Sequence, residues 1–138
     1  MPSFSATSLA HLATCHADLR AVFTEVVKHR DCTVIEGLRT AEQQAEYLRT
    51  GRSKTTSSKH LRQPDGTSHA ADVAPYPVDW SDGKAFALFA GYVIATADQM
   101  RLAGQITHRI RWGGDWDDDG NVREHSFFDG PHFELVTP

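Results

Sequence analysis

At 138 residues, 40% hydrophobic and 23% charged, the chain can bury a core without disulfides, and a single domain over residues 1–138 is expected. Eighteen acids against fourteen bases give a formal net charge of −4 with no basic cluster, which argues against nucleic acid as the main partner. The N-terminus lacks a basic region followed by an apolar run, and no stretch approaches the ~20 apolar residues of a membrane span, so a monomeric cytoplasmic product with no signal peptide and no membrane insertion is expected.

Ser8 to Ala13 reads as a short turn of helix. A longer amphipathic helix follows over His16 to Lys28, where Leu19, Val22, Phe23, Val26 and Val27 recur at i, i+3, i+4 spacing. Cys32 to Glu36 is strand-like and is closed by Gly37. The two cysteines, Cys15 and Cys32, form no Cys-x-x-Cys pair and are expected to be reduced and structural. Thr40-Ala41-Glu42-Gln43 fits a capping box opening a helix that runs through Tyr47 and Leu48 and stops at Gly51.

Arg52 to Ser68 is almost all small and polar, which predicts a long surface loop of the kind that carries function. His69 to Ala74 is short and apolar enough for a buried strand, with Ala70, Asp72 and Ala74 on one face and His69 and Val73 on the other. After a turn at Pro75 to Asp82, the segment Lys84 to Leu102 is the longest predicted helix, with Phe86, Phe89, Val93, Ala97 and Met100 at helical spacing. Thr107 to Trp112 alternates as a strand, an acidic loop follows Gly113-Gly114, and His132 to Val136 forms the last strand. The whole predicts an α+β fold, a small and mainly antiparallel sheet with packed helices.

Eight histidines are many for this length, and three residues around the sheet could serve as metal ligands. A catalytic zinc takes three nitrogen or oxygen ligands and keeps a position for water. His60, Asp72 and His132 would supply them. His69 points away from Asp72 by strand alternation, so His60, arriving from the loop, is the better co-ligand, with His69 as the alternative. Asp129 lies three residues before His132 across a Gly-Pro turn, where a carboxylate can act as general base without ligating the metal.

These residues carry a resemblance. Ser58-Lys59-His60, Ala70-x-Asp72 and Asp129-x-x-His132, with Gly37-Leu38-Arg39-Thr40, Arg111-Trp112-Gly113-Gly114-Asp115-Trp116 and Phe128-Asp129-Gly130-Pro131-His132-Phe133-Glu134-Leu135, resemble the LAS zinc metallopeptidases over roughly residues 16 to 136. That group joins D-alanyl-D-alanine peptidases, phage L-alanyl-D-glutamate endolysins and the zinc domain of hedgehog proteins. The likeness is greatest to the single-domain phage endolysins. It implies a hedgehog/D-Ala-D-Ala peptidase-like fold, zinc on His60, Asp72 and His132, Asp129 as the base, and Arg39 stabilising the oxyanion. The implied function is hydrolysis of the L-Ala–D-Glu bond of peptidoglycan stem peptides, by an enzyme held in the host cytoplasm until it is released to the wall. A D-Ala-D-Ala carboxypeptidase or dipeptidase, and a non-catalytic zinc-stabilised binding module, are the rival readings. The chain departs from the family pattern in carrying Ser68 where a glycine is usual and about five extra residues, Arg62 to Gly66, between His60 and Thr67.

Asp115-Trp116-Asp117-Asp118-Asp119-Gly120-Asn121-Val122 follows the D-x-D-x-D-G start of a calcium loop, making Asp115, Asp117 and Asp119 candidate Ca2+ ligands. Ser126 stands at the twelfth position in place of the bidentate glutamate, and a solvated acidic turn explains the segment equally well.

Overall fold

Alternation along one strand sets the layout. In the computed structural model, which describes residues 2–53, 58–118 and 129–137, strand β2 (Ala70–Pro75) turns Ala71 and Val73 into an apolar layer and Asp72 to the opposite side. Around it the chain forms α1 (Ala6–Leu12), α2 (Ala17–His29), β1 (Cys32–Glu36), α3 (Ala41–Arg49), α4 (Gly83–Leu102), β3 (Arg109–Trp112) and β4 (His132–Val136). The four strands make one antiparallel sheet in the order β1-β2-β4-β3.

The apolar side of the sheet carries Val34, Ala71, Val73, Ile110, Trp112, Phe133 and Leu135, all at most 3% exposed, and α2 and α4 cover it. From α2 come Leu19, Val22, Phe23, Val26 and Val27; from α4 come Phe89, Ala90, Val93 and Ala97. Phe133 is edge-on to both Phe23 and Phe89, at ring centroid distances of 5.5 and 6.0 Å. Each such side chain contributes roughly 1.5–3 kcal/mol by leaving water, which makes this layer the main source of stability. The other side of the sheet is left for chemistry.

Register fixes that side. Asp72 is the direct partner of His132 across β2 and β4, and of Glu36 across β1 and β2. An irregularity between Val34 and Glu36 passes over Ile35, and this bulge sets Glu36 rather than Ile35 opposite Asp72. The Thr40 capping box is present in both directions, Gln43 N–H to Thr40 Oγ1 at 3.1 Å and Thr40 N–H to Gln43 Oε1 at 2.9 Å. Cys15 and Cys32 are buried free thiols, pushed up to about 11 and about 12 by desolvation.

Two sequence expectations need correcting. The first helix is a full seven residues, Ala6–Leu12, because Ser5 caps it by accepting the Ser8 N–H at 3.1 Å. The segment after Arg52 is not simply a surface loop: Ser58, His60 and Ser68 are buried, and its backbone bridges to Arg39 through Leu61 and to Cys15 through Ser68. Backbone pairing drives that burial, since N–H groups taken from water must find partners.

Candidate metal centre

His60 reaches the sheet from its loop because its main chain is tied down. Arg39 N–H donates to His60 O at 2.8 Å, and His60 Nδ1 donates to Gly37 O at 2.8 Å. Gly37 can carry no side chain there: a Cβ would lie 2.3 Å from Thr14 Oγ1 and 2.4 Å from His11 O. A carbonyl only accepts, so the Gly37 bond fixes the proton on Nδ1 and leaves the lone pair on Nε2. That nitrogen is 3.0 Å from Asp72 Oδ1.

His132 meets the same oxygen from β4. Its Nδ1 is 3.4 Å from Asp72 Oδ1, and its Nε2 is 2.8 Å from Glu134 Oε1, two residues on along the same strand face. The turn before it is held by the Gly113-Gly114 corner, with Asp129 N–H donating to Gly113 O at 2.9 Å and Gly113 N–H to His132 O at 2.8 Å. A Cβ on Gly113 would lie 2.2 Å from Asp129 O, so only glycine allows this approach.

These donors fit a metal ion. A neutral imidazole has one proton for two nitrogens, yet both rings face acceptors on both sides. A cation between the rings and Asp72 resolves the conflict. Ligand atoms sharing a tetrahedral zinc at 2.0–2.2 Å lie about 3.4 Å apart, against 3.0 and 3.4 Å here. The three residues form a group whose donor atoms lie within 4.8 Å of one another. Without the ion, burial would lower the His132 pKa, but its bonds to Asp72 and Glu134 push it up to about 9. Burial would likewise raise Asp72, but the two histidines hold it well below the usual carboxylate range.

Asp129 and Arg39 complete the site. Asp129 Oδ2 is 4.0 Å from His132 Nδ1, and burial followed by the charge of Asp72 raises its pKa. That is the direction a base needs. Arg39 is 7% exposed, held by hydrogen bonds from Nε to Glu36 and from Nη1 to Gln44 Oε1 at 2.6 Å, and stacked 4.4 Å over the Tyr47 ring. Its Nη2 is 3.9 Å from Asp72 Oδ2, which aims the guanidinium at the centre. The His60, Asp72 and His132 side chains line one cleft of about 730 Å³ together with Asp129 and Arg39, flanked by Trp80 and Trp116.

His69 lies elsewhere. Its Nε2 is 2.7 Å from Asp65 Oδ2 on the helix-covered side of β2, away from Asp72, the side on which strand alternation places it. Sequence reasoning missed Glu36, Gln44 and Glu134. Glu134 was within reach, because two residues on from His132 is the same strand face; Gln44, rather than Gln43, is the glutamine that reaches Arg39. Of the candidate calcium residues, Asp115 is 6% exposed, and neither it nor Asp117 joins a ligand group among the described residues. Asp118 instead pairs with Arg109, and Asp119 and Ser126 lie outside the described residues.

Residues 2–136 match the family model described as phage L-alanyl-D-glutamate peptidase. The chain is 30% identical over 145 residues to the L-alanyl-D-glutamate peptidase of Escherichia phage T5, covering 96% of this chain and 97% of that one. Among solved structures, the L-Ala D-Glu endopeptidase ChiX of Serratia marcescens superposes with a TM-score of 0.72 at 31% identity, over 98% of this chain and 91% of that one.

Proposed function

The chain belongs to the phage L-alanyl-D-glutamate peptidase family, and we propose that it is a zinc-dependent peptidoglycan hydrolase cutting between L-Ala and D-Glu of the stem peptide. The convergence of His60 Nε2, His132 Nδ1 and Asp72 Oδ1 beside Asp129 supports this reading most strongly. When bound, zinc supplies Lewis acidity, polarising a carbonyl and lowering the pKa of water toward about 7.

The chain's own residues do the rest. Asp129 takes the proton of the water that attacks the L-Ala carbonyl carbon. Its raised pKa suits it to give that proton to the D-Glu nitrogen as the C–N bond breaks. Arg39 faces the developing oxyanion with a planar cation that stays charged at working pH. Glu36, Gln44 and Tyr47 hold that guanidinium before substrate arrives, so little reorganisation is needed during reaction. Glu134 and the Gly37 carbonyl orient the two histidine rings from behind.

Mass spectrometry of purified peptidoglycan digested by the zinc-loaded protein, beside an EDTA-treated control, tests the reading. Stem peptides beginning at D-Glu are expected only with zinc present. Release of free D-Ala would move the protein to the carboxypeptidase class, and no product at all would point to a binding module.

A further inference from the structure

A second group of histidines lies outside the cleft, on the other side of β2. We propose that His16, Asp65 and His69 form a second divalent transition-metal site, of a kind suited to zinc, distinct from the centre at His60, Asp72 and His132. The donor atoms of the three residues lie within 4.8 Å of one another. Asp65 Oδ2 is 2.7 Å from His69 Nε2 and 3.9 Å from His16 Nε2. Ligand atoms on one tetrahedral zinc sit about 3.4 Å apart, so one pair opens slightly and the other closes slightly to admit the ion.

The main chain holds the donors in place. His16 N–H donates to Ser68 O at 2.9 Å, Ser68 N–H to Thr14 O at 3.0 Å, and His69 N–H to Lys59 O at 2.9 Å, while Leu135 N–H donates to His69 O at 2.9 Å. Asp65 is set by a tight turn in which its Oδ1 accepts both the N–H and the hydroxyl of Thr67, at 3.0 and 2.7 Å. Its other oxygen remains for the histidines. The side chains of His16 and His69 are 23% and 22% exposed and that of Asp65 42%, so solvent can complete the coordination.

A third ring adjoins them. His108 lies edge-on at centroid distances of 5.0 Å from His16 and 6.0 Å from His69. Its Nδ1 is 2.8 Å from Asp18 Oδ2, a carboxylate that also accepts the N–H groups of Thr107 and His108. That bond keeps the proton on Nδ1 and the lone pair on Nε2, the arrangement in which a carboxylate prepares a histidine for a metal. His108 thus borders the site as a third ring, with Asp18 as its anchor.

The second ion binds more weakly than the first for a definite reason. His16 caps α2, its Nδ1 accepting the Asp18 N–H at 2.9 Å. Ligation through Nε2 requires the ring proton on Nδ1, which gives up that cap, whereas the Nδ1 proton of His60 is already bonded to Gly37 O. The gain is mechanical: Asp65 belongs to the segment joining His60 to β2, and an ion there ties that segment to the start of α2.

Zinc binding to the full chain, followed by calorimetry and by native mass spectrometry, tests the proposal. The wild type should bind two equivalents, the second more weakly. His16→Asn keeps a favoured N-cap residue and removes the ring; it and His69→Gln should each bind one equivalent, with peptidoglycan hydrolysis unchanged. His60→Ala should lose the tight equivalent and keep the weak one, which separates this site from the catalytic centre. Wild-type stoichiometry and affinities in both His16→Asn and His69→Gln would overturn the proposal.

Discussion

The two sides of β2 use histidine in opposite ways. On the cleft side His60 and His132 are 1% and 6% exposed and every ring nitrogen faces an acceptor held by the fold; on the helix side His16 and His69 are about a quarter exposed and share a carboxylate carried on a turn. Both groups have ligand geometry. The cleft side adds a carboxylate of raised pKa, a buried guanidinium and a cavity of about 730 Å³; among the described residues, no such carboxylate or guanidinium stands beside His16 and His69. Catalysis is therefore identified by what surrounds a ligand cluster rather than by the cluster itself.

The strongest way to break the contrast is to remove a ligand from each side. His60→Ala is expected to bring peptidoglycan hydrolysis to background, while His69→Gln leaves it at the wild-type rate; turbidity loss of cell-wall suspensions checks both. Asp129→Asn should lower kcat by about 10²–10⁴-fold, the usual contribution of a positioned base, with zinc content unchanged by elemental analysis. A variant that kept full activity would remove Asp129 from the mechanism.

Arg39→Lys is expected to cost roughly 10²–10³-fold in kcat, as loss of an oxyanion donor does, because an ammonium cannot bond Glu36 and Gln44 together while facing the substrate. An unchanged kcat with a raised KM would make Arg39 a substrate clamp instead. Glu134→Gln leaves the fold intact and loosens the His132 ring, so zinc affinity should drop about 10–100-fold in a chelator competition.

The smallest effect belongs to the helix side. Burial would raise the Asp18 pKa, but its bonds from His108 and Thr107 outweigh this and lower it. A carboxylate whose pKa is depressed in the folded state stabilises the fold above its unfolded value of about 3.9, and that contribution is lost as pH falls through the folded pKa. Asp18→Asn should thus cost about 1 kcal/mol at pH 7, and the gap to wild type should close as pH falls below about 4, as read by urea unfolding. A gap that widened in acid would contradict the assignment.

Much of this contrast was legible in the chain itself. The 3.6-residue spacing of Leu19 to Val27 and of Phe86 to Ala97 located the helices that cover the sheet, and period-two alternation put Asp72 and His69 on opposite sides. The supporting residues were harder to see. Glu36 faces Asp72 only because a bulge skips Ile35, and Gln44 reaches Arg39 only after Gln43 is taken by the helix cap. The helix-side histidines were not legible as a group: His16, His69 and His108 are far apart in sequence and meet only where Ser68 pairs with the start of α2. Pairings of that kind depend on tertiary register, which local patterns do not encode.

Anomalous diffraction at the zinc edge, from crystals grown with the metal, tests the central assignment most directly. A strong peak between His60 Nε2, Asp72 and His132 Nδ1, next to Asp129, is the expected result. A principal peak ligated by His69 in place of His60, or no peak in the cleft, would contradict it.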